Sequence, residues 1–129
     1  MKKWHLMFMA LTFIVSPARA GWQLVSETRE SILYIDLDSA QKNGQLVQAE
    51  SSQDFHQIQK LAGHAYLSAK FTNEYDCEKK QLRQIALTIF PENMANGDVL
   101  FSEKTPQGWA PLQPGSTGEA LWRQACGKN

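Results

Sequence analysis

The sequence predicts an α+β domain, an antiparallel sheet of about six strands covered on one face by a single C-terminal helix. Three observations carry that reading. Apolar and polar residues alternate with period two through the middle of the chain. Short strand-like runs are separated by turn signals, and one capped amphipathic stretch stands near the end. Alternation of this kind marks strands with one face buried and one solvated.

A leader-like segment precedes the first strand. Lys2 and Lys3 form a positive start, Leu6 to Val15 an apolar run, and Ala18-Arg19-Ala20 the small-x-small pattern that signal peptidase cuts after. The apolar run is half the roughly 20 residues that a membrane span needs. Residues 1–20 are therefore expected to be a cleaved signal peptide, and residues 21–129 one exported domain without a membrane span. No repeat or linker divides those 109 residues, a length that suits a single core.

Trp22 to Glu27 and Ser31 to Leu37 are the first two strand candidates, separated by polar Thr28-Arg29-Glu30. Leu46 to Phe55 follows an Asn43-Gly44 turn signal, before which Asp38 is expected to act as a cap or turn former. From Ala65 the odd positions Ala65, Leu67, Ala69, Phe71, Asn73, Tyr75 and Cys77 form the more apolar face. Glu74 and Asp76 fall on the polar one, where charges are solvated by default. Glu78-Lys79-Lys80 reads as a turn into a second alternating run, Ile85, Leu87 and Ile89, which makes a hairpin. Val99 to Lys104, after Asn96-Gly97, is the last strand candidate.

The helix begins after Pro114-Gly115. Ser116 and Glu119 stand in the capping-box arrangement, in which the serine accepts from the Glu119 amide and the Glu119 carboxylate reaches back to the Ser116 amide. Leu121, Trp122, Ala125 and Cys126 share one helical stripe, and Gly127 is placed to stop the helix.

An exported chain with an even number of cysteines is read as disulfide-bonded. Cys77 lies on the apolar side of its strand and Cys126 on the apolar side of the helix, so a bond between them would clamp helix to sheet. The full chain carries 13 basic and 13 acidic residues. Loss of Lys2, Lys3 and Arg19 leaves 10 against 13, a net charge of −3. That balance argues against a nucleic-acid partner, which would call for a basic excess.

Little in the chain points to catalysis. His56 and His64, with seven residues between them, lack a third ligand. Asp36-x-Asp38 lacks the spacing of a calcium loop, and no serine stands in a nucleophile elbow. The expectation is a protein with no enzymatic activity, metal or cofactor. Lys79, Lys80 and Arg83 form the one positive cluster, at a hairpin tip where acidic glycans or acidic loops of a partner could meet it. Asp76 and Glu78 partly cancel its field, and an ordinary solvated turn is the plainer reading. Trp22, Trp109 and Trp122 serve first as packing, with Trp109 in the Thr105 to Pro114 loop the most exposed.

Several motifs together resemble the surface-adhesin protein E family of small exported bacterial domains. They are Trp22, Tyr34-Ile35-Asp36, Gly44-x-Leu46-Val47, Glu74-Tyr75-Asp76-Cys77, Trp109-x-Pro111, Pro114-Gly115-Ser116, and Leu121-Trp122 with Cys126. The resemblance implies a strongly bent antiparallel sheet whose C-terminal helix is tethered to the concave face by a disulfide. It also implies a protein-binding role, since the family's namesake is a lipid-anchored adhesin for host matrix and serum proteins. This chain has no cysteine at the cleavage site to acylate, so a free periplasmic or secreted protein is expected. Lys79, Lys80, Arg83 and Trp109 are the candidate contacts for a protein partner, and open sheet edges leave room for a homodimer. The alternative is a periplasmic structural or accessory protein of the envelope with no host ligand.

Overall fold

The expected alternation becomes an antiparallel meander in which each of the first six strands pairs with its neighbours along the chain. A computed structural model describes residues 21–128; the expected signal segment lies outside them. The strands are β1 (Trp22–Glu27), β2 (Ser31–Asn43), β3 (Leu46–Leu61), β4 (His64–Asp76), β5 (Gln81–Phe90) and β6 (Phe101–Glu103). A two-residue β7 (Ala110–Pro111) also pairs with β5, and the helix α1 spans Thr117–Cys126. The chain between β6 and β7 stays on the edge of β5, where the Gln107 amide donates to the Gln84 carbonyl at 2.8 Å.

Strands β2 and β3 run well past their expected ends, because bulges interrupt the alternation without ending the ladder. The β2–β3 register breaks between Asp36 and Gln41, and the β3–β4 register between Asp54 and Gln59. Such breaks bend a strand and raise its twist. Asp38 is therefore not a turn former before Asn43. It lies inside β2 at the first break, its amide donating to Asp36 Oδ1 at 3.0 Å. Ser39 Oγ, which bonds the Asp36 carbonyl and accepts from the Glu50 amide at 2.9 Å, supplies a backbone partner that the ladder has lost. Asn43 stays in β2, and the turn itself is Gly44-Gln45. A tight turn at Ala62-Gly63, with φ of 53° and 79°, joins β3 to β4. Ile85 also leaves the expected pattern. Thr72 pairs with Ala86 and Asn73 with Gln84, so Ile85 is an extra residue in β5.

The core lies between one sheet face and the helix. Leu33, Ile35, Ala49 and Tyr75 meet Leu121 and Trp122 there, with Val25, Leu37, Phe71 and Leu82 packed around them. Burying Leu121 and Trp122 contributes about 1.5–3 kcal/mol each, by the scale for large apolar side chains. The Tyr75 phenol is pushed up to about 12 by burial and stays neutral, accepting from Asn73 Nδ2 at 3.2 Å.

Helix capping departs from the expected box by one residue. Ser116 Oγ accepts from the Glu119 amide at 3.1 Å, but Glu119 Oε1 accepts from the Gly115 amide at 2.8 Å. The Ser116 amide is already taken by the Gln113 carbonyl. At the other end Gly127, at φ 67°, lets the Lys128 amide bond the Arg123 carbonyl at 2.9 Å. Cys77, one residue beyond β4, is bonded to Cys126 across a Cα–Cα distance of 5.6 Å and a sequence separation of 49. Loop closure of that length contributes roughly 4 kcal/mol in the chain-entropy treatment.

Replacing Cys126 by serine should release the helix more than it unfolds the sheet, because a ten-residue helix is marginal without its tertiary contacts. Amide exchange in Thr117 to Ala125 should quicken while β4 and β5 keep their protection. Equal loss in helix and sheet would show that the bond holds the whole domain.

Candidate partner-binding surfaces

The sheet face away from the helix carries two hollows. Facing pairs in an antiparallel ladder share a face, so the register assigns side chains to it directly. Tyr75 and Leu82 pair and are core residues, which puts Glu74 and its partner Arg83 on the opposite side.

The first hollow, about 450 Å³, lies at the β4–β5 end and is lined by Gln45, Leu46, Asp76, Lys79, Gln81 and Trp109 among others. Arg83 is not at the hairpin tip. It sits within β5, with its Nη2 2.8 Å and its Nε 2.9 Å from Glu74 Oε1. The Trp109 ring covers it, with the guanidinium carbon 4.7 Å from the ring centroid. Charge pairing and cation–π contact thus hold Trp109 against the sheet from the Pro-flanked loop.

This arrangement corrects the expected placement of the acids. Glu74 and Asp76 are buried at 9% and 4% exposure, not solvated. Arg83 neutralises Glu74 under the Trp109 lid. The Asp76 carboxylate is consumed by the following turn, where Oδ1 accepts from the Glu78 amide at 3.0 Å and the Lys79 amide at 2.9 Å, and by Gln45 Nε2 at 3.2 Å. The Lys79 amide, then the Glu78 amide and the Gln45 side chain, hold the carboxyl below its ordinary range. The positive cluster is accordingly split. Arg83 is paired, Lys79 borders the hollow beside Trp109, and Lys80 stands apart in a left-handed conformation at φ 54°.

The second hollow, about 650 Å³, has no counterpart in the sequence reading. The register lines up Leu24, Tyr34, Ser52 and Lys70 across β1 to β4. Trp22 and Leu24 wall one side, and Met94 and Ala95, in the short turn Asn93–Ala95, wall the other. That turn is held by its polar contacts. Asp54 Oδ1 accepts from the Met94 amide at 2.7 Å and from Asn93 Nδ2 at 3.0 Å, and buried Ser68 accepts from the Ala95 amide at 2.9 Å. Trp22 is thus partly a groove residue as well as packing. The residues of the row lie on four strands, so only the pairing register could have revealed it.

Elsewhere, His56 Nδ1 lies 3.0 Å from the Arg29 carbonyl, and the His64 ring lies 6.3 Å from that of Phe101. No group of three or more His, Cys, Asp or Glu close enough to hold a metal ion occurs among the described residues.

Architecture and surface define a class of protein, a disulfide-stapled domain with a helix on one sheet face and aromatic hollows on the other. The chain belongs to the surface-adhesin protein E family, whose profile matches residues 22–127. Among solved structures it is similar to crystal form II of Haemophilus influenzae protein E, with a TM-score of 0.65 at 16% identity over 95% of this chain and 97% of that one. Protein E from non-typeable Haemophilus influenzae also matches, with a TM-score of 0.54 at 16% identity over 92% of this chain and 79% of that one. At that identity the structural likeness carries the fold. No curated protein sequence matches the chain.

Two outcomes should follow. Arg83→Ala strands the buried Glu74 carboxylate and should cost about 1–3 kcal/mol in urea unfolding; Glu74→Gln leaves unpaired only the guanidinium of Arg83, the more exposed partner, and should cost less. Equal costs would mean that the pair is not what stabilises this edge. The second outcome concerns acid. Asp76 and Glu119 both have carboxyls lowered in the folded state, Glu119 chiefly by the Gly115 amide. Their stabilisation is therefore complete above the ordinary carboxylate range of about pH 4 and is lost as pH falls through the lowered folded values. Asp76→Asn keeps an acceptor for the turn amides without a titrating charge. Its melting temperature should fall less steeply than that of wild type between about pH 5 and pH 3. Parallel acid limbs would assign the dependence to other groups.

Proposed function

We propose that residues 21–129 form an exported, non-enzymatic, adhesin-like binding module that meets protein partners with the sheet face away from the helix. Family membership over residues 22–127 is the observation that carries this reading. The surface supports it, since the hollow at the β4–β5 end combines an aromatic ring with Lys79 at its border. Trp109 and Lys79 are the contacts and Lys80 extends the positive edge, while Arg83 acts by positioning Trp109. Acidic loops of host matrix or serum proteins suit such a surface.

A second reading, an accessory protein of the periplasm, is favoured by one observation. Ala20 is followed by Gly21, so the expected cleavage leaves no cysteine to acylate. Strand β1 lies at a sheet edge, which supports a homodimer as a further mode of contact.

Intact mass of the mature protein should correspond to a start at Gly21 with no acyl increment. Retention of residues 1–20 or an added lipid would overturn the export part of the proposal. Antibody labelling of intact cells, set beside capture of solubilised matrix proteins by the purified domain, separates the two readings. Labelling and capture support the adhesin, and confinement to the periplasm supports the accessory protein.

A further inference from the structure

We propose that the larger hollow is a peptide groove. Its occupant is an extended partner segment with an apolar or aromatic side chain about four residues from a carboxylate. The proposal deepens the protein-binding reading above and rests on it.

Shape is the first argument. The groove floor is the row Leu24, Tyr34, Ser52 and Lys70, which crosses four adjacent strands. Three strand spacings of about 4.8 Å place its ends about 14 Å apart, the reach of about four residues of extended chain. Ser52 is the smallest side chain of that row and lies mid-floor, so the hollow of about 650 Å³ opens between larger neighbours. That volume lies in the ordinary range for ligand sites.

Chemistry is the second. The β1–β2 end is apolar, with Trp22, Leu24 and Tyr34, and Lys70 is the single charged residue of the lining. Lys70 enters no ion pair among the described residues. Glu50, diagonal to it through the Thr72 pairing, is not bonded to it either, and the Asp54 carboxylate is engaged by Asn93 and the Met94 amide. A carboxylate on the occupant would complete Lys70 while an apolar side chain fills the other end.

The Asn93–Ala95 turn supplies the third. Met94 and Ala95 hold left-handed backbones, at φ 61° and 58°, a conformation costly for residues with a Cβ. Asp54 and Ser68 pin the turn there. The effect is to keep the Met94 side chain at the groove with 64% of its surface exposed, opposite Leu24 at 56%. Apolar surface held out to solvent at the cost of backbone strain marks a contact site, and a methionine adapts readily to a partner's shape.

The test uses mature domain labelled with nitrogen-15 and three blocked hexapeptides. The first carries phenylalanine and glutamate separated by three serines, the second glutamine in place of glutamate, and the third phenylalanine adjacent to glutamate. The first should shift the amides of Leu24, Tyr34, Lys70 and Met94 with a Kd on the order of 1 mM or tighter, and the other two should bind at least about threefold more weakly. Lys70→Glu should abolish the preference for glutamate, and Lys70→Arg should keep it. Met94→Gly relieves the left-handed backbone, so it should leave the melting temperature unchanged or raised yet weaken the first peptide. A merely structural Met94 would do the reverse.

Equal affinity for the glutamate and glutamine peptides, shifts confined to other residues, or no binding would overturn the groove. Matrix-protein capture that survives Lys70→Glu and Met94→Gly undiminished would also overturn it while leaving the adhesin reading intact. Peptide binding without matrix capture would uphold the groove and remove the adhesin reading.

Discussion

The end of β4 is the junction on which the remaining structure depends. Within two residues, the Asp76 carbonyl accepts the Trp122 indole N–H at 2.9 Å and the Lys80 amide at 3.0 Å. The Asp76 carboxylate organises the following turn, and Cys77 is covalently joined to the last helical residue. One backbone step therefore closes the β4–β5 hairpin and docks the helix. A small domain has little core to spare, and this concentration of hydrogen bonds, apolar burial and a crosslink replaces what a larger core would supply.

Docking the helix has a consequence for the opposite face. Once Leu121 and Trp122 cover one side of the sheet, the residues that alternate with the core positions along each strand lie on the other. The outer face of β4 reads Lys70, Thr72, Glu74 and Asp76, with one hollow beside Lys70 and the other beside Asp76. The two hollows differ in chemistry. In one a paired arginine supports a tryptophan, so charge is spent on positioning. The other holds a lysine that enters no ion pair among the described residues, beside apolar walls.

Bulges shape both faces. Breaks at Asp36 to Gln41 and Asp54 to Gln59 let β2 and β3 continue as bent strands, so they contribute to the core along one stretch and to the surface turn contacts along another. Polar side chains at these breaks, Asp36, Ser39 and Asp54, do work that the ladder cannot. They satisfy backbone amides that would otherwise lack partners, which is why polar residues sit in the middle of long strands.

Local chemistry in the sequence decided the element types and their order. Alternation specifies strands, and a serine cap with a following glycine specifies the helix, because each depends on residues a few positions apart. The helical stripe of Leu121, Trp122 and Cys126, with Cys77 at the other end of the disulfide, was equally legible, since faces follow from periodicity. Tertiary structure alone decided what happens to charge and to the outer face. Glu74 and Asp76 read as solvated because alternation reports only which side a residue takes; in the fold Arg83 pairs with Glu74 beneath Trp109, and the turn that follows folds its amides back onto Asp76. The groove row across β1 to β4 was invisible for the same reason. Pairing register is set by turns and bulges acting together, and one extra residue in a strand reassigns every side chain beyond it.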